Sequence, residues 1–320
     1  GRTEPGATVT VNGQRVDVQA DGSFNEFIQL GKLGRQVVVV KSVGINGGVT
    51  DAVTASLAEK LGRLPAGDTA RVAGVAGKAP KGYDVDIIAK DTRATAISFG
   101  HPIDVARGSN DFAALDVARA WLGEHRASMS HLYDRIREKR GMNYGDYAYI
   151  EAFPRGMFQF MPDPNIARQQ QIFEVWIRPV VPENAHMALR IALHEVEQLV
   201  QSGLTQEQFE TARGYLMKNV YVKTSTADEQ IGYALDSEWY GIGEYTAHMR
   251  AALAKLTLDD VNAAIRRHIR PQDMKIVMIT KDAEGLKQTL VTDAVSTIKY
   301  EAEKPQALLD EDRVIGAKKL

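Results

Sequence analysis

Between Tyr83 and Thr280 strand-like and helix-like periods alternate, which limits this stretch to strands with helices packed against them. Val85, Ile87 and Ile88 begin a strand, and Ala96-Ile-Ser-Phe99 forms another. Leu115, Ala118 and Leu122 space a helix that starts near Asp111. Phe173-Glu-Val-Trp-Ile177 reads as a strand stopped by Pro179, because proline cannot donate to a ladder. Pro182-Glu183 opens a long helix, since a proline at an early helical position gives up no bonded N–H. Thr205-Gln-Glu-Gln208 is a capping box, and Thr257 with Asp260 marks another helix start. Lys275-Ile-Val-Met-Ile-Thr280 reads as a closing strand. The expected class is α+β, with helices on one face of the sheet.

With 320 residues, 44% apolar and 25% charged, the chain can build one large core or several small ones. A formal net charge of -2 gives no bulk attraction to nucleic acid or an anionic membrane. No run of about 18 apolar residues offers a membrane span. Without cysteine there is neither a disulfide nor a thiolate metal site. The opening Gly-Arg-Thr-Glu-Pro, without an initiator Met or signal peptide, reads as a fragment or a processed chain.

Leu132-Tyr-Asp-Arg-Ile-Arg-Glu-Lys-Arg-Gly141 reads as a short charged helix ended by glycine, and an aromatic strand follows through Ile150. That order, within Gly-Glu-His-Arg126 and Arg135-Ile-Arg-Glu-Lys-Arg-Gly-Met-Asn-Tyr-Gly-Asp-Tyr-Ala-Tyr-Ile-Glu151, resembles the second half of the M16 metallopeptidases, the family of insulinase, pitrilysin and the mitochondrial processing peptidase. The resemblance covers about 84–290 and implies an antiparallel-rich sheet with helices on one face. In that family an Arg on such a helix and a Tyr on the following strand reach a zinc site held by the other half. The matching positions are Arg137 and Tyr144. The resemblance gives the tyrosine the role of donor to the oxyanion formed when zinc-bound hydroxide attacks an amide, and gives the arginine the role of orienting the substrate carbonyl. Read from charge pattern alone, Arg137 belongs to a solvated face with Asp134, Arg135, Glu138, Lys139 and Arg140, and Tyr144 to an ordinary strand.

The family's zinc motif H-x-x-E-H is absent from this sequence. His194-Glu-Val-Glu197-Gln198 comes within one residue of an inverted form, but Gln198 replaces the second histidine. The helix's apolar stripe runs through Ala185, Leu189, Val196 and Leu199, which puts His194 on the polar face. His101, His125 and His131 are too scattered to form a metal triad and read as structural or solvent-facing. Gly241-Ile-Gly243 is a loop without a phosphate fingerprint, and Ser128-Met-Ser130 near His131 lacks an acid partner. Gly145 through Ile150 could bind an extended peptide at a sheet edge.

Toward the N-terminus, Val9, Val11, Val16 and Val18 alternate around Asn12-Gly13, a strong two-residue hairpin signal. Asp21-Gly22 marks a turn before Phe24, Phe27 and Leu30, and Gln36–Lys41 suits a buried strand. These strands resemble part of a bacterial immunoglobulin-like module, although four are counted where about seven are needed. The alternative takes Gln36–Lys41 as the last strand of a truncated M16-type first half. Val53, Leu57 and Leu61 space a helix, and Gly-Arg-Leu-Pro-Ala-Gly-Asp68 after it resembles the segment joining M16 halves. The expected division is a β segment (1–50), a helix and linker (51–82), an M16-type domain (83–295) and an aperiodic surface tail (296–320).

Together these readings imply the substrate-clamping, non-zinc half of an M16-type peptidase, inactive alone, with no cofactor of its own. Zinc and the general-base Glu would come from a metal-bearing partner half, in the same polypeptide or a separate subunit, acting on a peptide substrate in the periplasm or outside the cell. The alternatives are a non-catalytic structural or assembly subunit and a peptide-binding module of the same fold.

Overall fold

A computed structural model describes residues 1–25, 40–44, 51–64, 76–124, 127–152 and 161–320; of 51–53 it describes the backbone alone. The chain divides into two compact units, Gly1–Ala73 and Gly74–Leu320.

In the first unit, β1 (Thr8–Val11) and β2 (Gln14–Val16) form the expected hairpin, with Val9 opposite Val16. Asn12 and Gly13 adopt φ of 50° and 83°, the paired left-handed conformations that let a two-residue turn follow the twist of its strands. β3 (Val40–Val43) pairs antiparallel with the other side of β1, and Val9, Val11 and Val16 pack with Val18 and Phe24. Phe27, Leu30 and Gln36–Val39 lie outside the described residues. The helix expected near 50–63 is α1 (Asp51–Leu61), but Leu57 and Leu61 are 52% and 60% exposed and join no hydrophobic cluster among the described residues.

The second unit is built on a five-stranded sheet. Its strands are β4 (Asp84–Ala89), β5 (Thr95–Ile103), β6 (Asp146–Tyr149), β7 (Gln171–Val180) and β8 (Lys275–Thr280), in the order β4-β8-β5-β7-β6. β4 and β8 are parallel, and the other pairs are antiparallel. Register places Ile97 opposite Ile177 and Met278, and Phe99 opposite Val175 and Ile276. This one face is therefore continuously apolar, and all six side chains are buried. Against it pack α2 (Phe112–Gly123) and α3 (Ala185–Ser202), the latter entered through a tight turn at Pro182–Asn184. α3 is buried on nearly every side and carries no single apolar stripe; His186, Arg190 and Glu195 are enclosed along with its aliphatic residues. α4 (Gln206–Lys223), α5 (Ala227–Tyr240), α6 (Tyr245–Lys255), α7 (Leu258–His268) and α8 (Ala283–Val291) complete the helical layer. Capping boxes start α4 at Thr205, α5 at Thr226 and α7 at Thr257.

Two expectations fail. Pro179 does not stop β7, which continues to Val180. The register shifts between Thr95 and Ile97, so Arg178 and Pro179 together face Ala96 and the proline needs no ladder bond. Residues 296–320 are no aperiodic surface tail either, since α9 (Gln306–Gly316) packs on α3 and buries Ile315. Arg190 of α3 donates to the carbonyls of Ala294 (2.8 Å) and Gly316 (2.6 Å), which ties both flanks of the segment to the core. Arg140, whose side chain is wholly buried, donates to Asp312 at 2.7 Å and to Glu311 at 2.8 Å.

Asp312→Ala leaves the buried Arg140 with Glu311 as its remaining carboxylate and strips one charge-assisted bond from it, so the change is expected to cost about 2 kcal/mol in urea unfolding. Thr257→Ala, which removes only a cap, is expected to cost about 1 kcal/mol. A tail lying loosely on the surface would make Asp312→Ala cost less than about 1 kcal/mol.

Candidate functional site

Arg137 sits on a π-helical turn, Tyr133–Glu138, that presses Leu132 and Ile136 fully into the core. The arginines flanking it are tied down. Arg135 donates to Glu195 Oε1 of α3 at 2.6 Å and also bonds Glu311 of α9. Arg140 holds the same α9 through Glu311 and Asp312. His131 completes the arrangement, stacking on Trp121 with ring centroids 4.3 Å apart and meeting Glu195 Oε2 at 2.7 Å. Burial alone would raise the Glu195 carboxyl, but its contacts with His131 and Arg135 outweigh that and pull it down to about 2. His131 is thus part of the structural frame and does not face solvent as a lone group.

Arg137 itself stays half-exposed. Among the described residues its one ion pair is a 3.3 Å contact with the neighbouring Glu138. Its guanidinium carbon lies 5.8 Å from the ring centroids of both Tyr133 and Tyr144, within cation–π range. The helix ends at Gly141 as expected, and its last turn is closed by the N–H of Gly141 bonding the carbonyl of Arg137 at 2.7 Å. Tyr144 is not on a strand. It occupies a bend two residues before β6 and is 83% exposed. A strand tyrosine would have been fixed by its ladder and buried with the rest of β6, whereas this bend presents the phenol to solvent.

The bend is held by side chains that carry no motif in the sequence. Asn143 Nδ2 donates to Asp146 Oδ1 at 2.7 Å and to the carbonyl of Arg178 at 3.1 Å. Asn143 Oδ1 accepts from the N–H of Gly145 at 3.2 Å. An Asn three residues before an Asp at a strand start is the only local signal that could have revealed the pairing. Burial pushes the Asp146 carboxyl up to about 8, opposed by the Asn143 amide and the Arg178 backbone.

β4 and β6 are the edge strands. The backbone of β6 is closely approached by the end of α2: a Cβ on Gly123 would lie 2.3 Å from the nitrogen of Ala148. On the sheet face away from the apolar layer, Trp176 Nε1 donates to Glu174 Oε2 at 3.0 Å, and burial raises the Glu174 carboxyl to about 7.

The remaining sequence candidates do not converge on this site. His101 is buried and accepts from the N–H of Arg270 at 3.0 Å. His194 is half-buried near Lys318, which pairs with Glu197, so this helix face is covered by the chain's last residues and is not freely solvated. His125 lies outside the described residues. Among the described residues no three His, Cys, Asp or Glu side chains are grouped to hold a metal ion, and no helix is long and apolar enough to cross a membrane.

The family model described as the peptidase M16 inactive domain matches residues 43–216. An uncharacterized zinc protease of Streptomyces coelicolor is 26% identical over 243 residues, covering 75% of this chain and 46% of that protein. The chain therefore spans less than half the length of this curated relative. A peptidase M16 inactive domain from Pseudomonas fluorescens shares the fold with a TM-score of 0.58 at 22% identity, over 76% of this chain and 53% of the other. A protease from Helicobacter pylori gives 0.57 at 14% identity, over 76% and 55%. The periplasmic protease PqqL from Escherichia coli gives 0.53 at 15%, over 88% and 29%. With more than half of its residues matched by that model, and with the α+β sheet and one-sided helical layer described above, the chain belongs to the M16 peptidase family through its inactive domain.

Proposed function

We propose that this chain is the substrate-clamping half of an M16-type zinc peptidase, hydrolysing peptides only when joined to a metal-bearing half. The observation that supports this most is the pairing of Arg137 with a phenol that is almost wholly exposed, on a turn anchored at both ends. Among the described residues nothing in the core bonds the Tyr144 hydroxyl, so its exposure suits a group that meets something from outside. In the proposed complex the partner's zinc supplies an activated hydroxide. Tyr144 donates to the oxyanion that develops on the attacked carbonyl, and Arg137 forks onto a peptide carbonyl to fix the substrate's register. A guanidinium beside the phenol also favours a donor near building negative charge. An extracytoplasmic setting belongs to the same proposal, supported by the shared fold of a periplasmic protease.

With the metal-bearing half supplied, Tyr144→Phe is expected to lower turnover by roughly 100-fold or more, the usual loss for one oxyanion donor. Arg137→Ala should worsen both turnover and Michaelis constant, because it acts on placement as well as on charge. Neither change should move the melting temperature by more than about a degree or two, since Tyr144 is 83% exposed and the one ion pair described for Arg137 is a surface contact with its neighbour Glu138. Wild-type kinetics for both variants, in a complex shown to be assembled, would exclude the clamp and leave a surface ion pair worth under about 1 kcal/mol.

A further inference from the structure

We propose that Asn143 and Asp146 are positioning residues for Tyr144, a side-chain bracket that closes the turn 143–146 and fixes the direction in which the phenol projects. The proposal rests on the clamp reading for its catalytic consequence and on geometry for its structural one.

Tyr144 cannot be held by its own packing, because it is 83% exposed and the cation–π approach of Arg137 is a soft contact. The positioning comes from its neighbours. Asn143 uses both amide hydrogens, one on Asp146 Oδ1 and one on the Arg178 carbonyl, and its oxygen takes the Gly145 N–H. The N–H of Arg178 returns to the Gly145 carbonyl at 3.3 Å. The residues on either side of Tyr144 are therefore tied to each other and to β7. Gly145 has φ of 146°, a conformation that L side chains rarely adopt, and a Cβ there would sit 3.2 Å from Tyr147 Oη. Asp146 is 1% exposed, and its buried Oδ2 has no hydrogen-bond partner among the described residues.

The bracket has a pH signature. The charged and titratable groups on the elements packed against β6 are Glu174 and Arg178 of β7, Asp116 and Arg119 of α2, Glu124 at its end, and Tyr133, Asp134, Arg135, Arg137 and Glu138 of the π-helical turn. None of their side chains acts on the Asp146 carboxyl, which burial raises to about 8. Folded chains thus keep this proton at neutral pH, while unfolded ones release it near 3.8. Below pH about 4 both states are protonated. Between about 4 and 8 only the unfolded state loses the proton, so this group's contribution to stability declines as pH rises and is gone above about 8. Above that value the folded turn must hold a buried charge supported only by amide groups, and the bracket loosens.

Three measurements decide it. In the chain alone, Asn143→Ala should speed hydrogen exchange at the Gly145 amide at least tenfold; unchanged protection overturns the bracket. In the assembled protease, the same variant should lower turnover tenfold or more at a Michaelis constant within twofold of wild type. Wild-type turnover there, in a preparation where Tyr144→Phe is impaired, overturns the positioning role. Asp146→Asn, which cannot ionise, should raise the ratio of turnover at pH 9 to that at pH 7 at least threefold, and should melt progressively higher than wild type as pH rises from 4 to 8. A wild-type pH profile in that variant also overturns the proposal. If Tyr144→Phe itself is silent, the clamp reading fails, and the Gly145 exchange result still decides the bracket.

Discussion

The Arg140 guanidinium, buried between the carboxylates of Glu311 and Asp312, is the interaction on which the rest of the site depends. A buried cation is tolerable only when paired and hydrogen-bonded, and here the pairing joins the end of the π-helical turn to a helix 171 and 172 positions later. Arg135 extends the same network to Glu195 on the central helix. Arg137, between these two anchors, is left half-exposed. The chain fixes its flanking arginines and leaves one arginine available, and that division of labour explains why the six charged residues between Asp134 and Arg140 do not form a uniform solvated face.

The same logic continues into Tyr144. A helix that is pinned on two sides can end abruptly at Gly141 and still deliver the chain to β6 in a defined direction. The Asn143–Asp146 pair then takes over from the ion network, replacing charge with hydrogen bonds at the point where the chain must turn. Two consecutive devices, one ionic and one neutral, thus set the separation of Arg137 and Tyr144. For catalysis by preorganised donors that separation matters more than the strength of either contact, because misplacement by about 1 Å can cost 100-fold in rate.

Local physics made much of the fold legible. Asn12-Gly13 gave its hairpin, and the Thr205 and Thr257 caps gave their helices, because each signal lies within four residues of what it controls. Non-local physics was invisible. Pro179 looks like a strand stop in the sequence because the register shift that excuses it is a property of the pairing with β5. The helix at Gln306–Gly316 was missed because its anchors, Arg140 and Arg190, are more than a hundred residues away. Arg137 and Tyr144 stand as candidates only through family resemblance, since charge pattern alone favours a solvated helix face and an ordinary strand. The aromatic pattern puts Tyr144 on a strand because no local motif in the sequence shows Asn143 bending the chain one residue earlier.

The central claim is that the Tyr144 phenol meets a peptide bound at zinc supplied by another half. It is tested most directly by incorporating p-benzoylphenylalanine in place of Tyr144, assembling the chain with its metal-bearing half, and irradiating in the presence of a labelled peptide substrate. Covalent capture of the peptide on this chain, competed by excess unlabelled substrate, is the predicted result. Irradiation of a correctly assembled complex that yields no peptide adduct, or an adduct that unlabelled substrate does not compete, would contradict it.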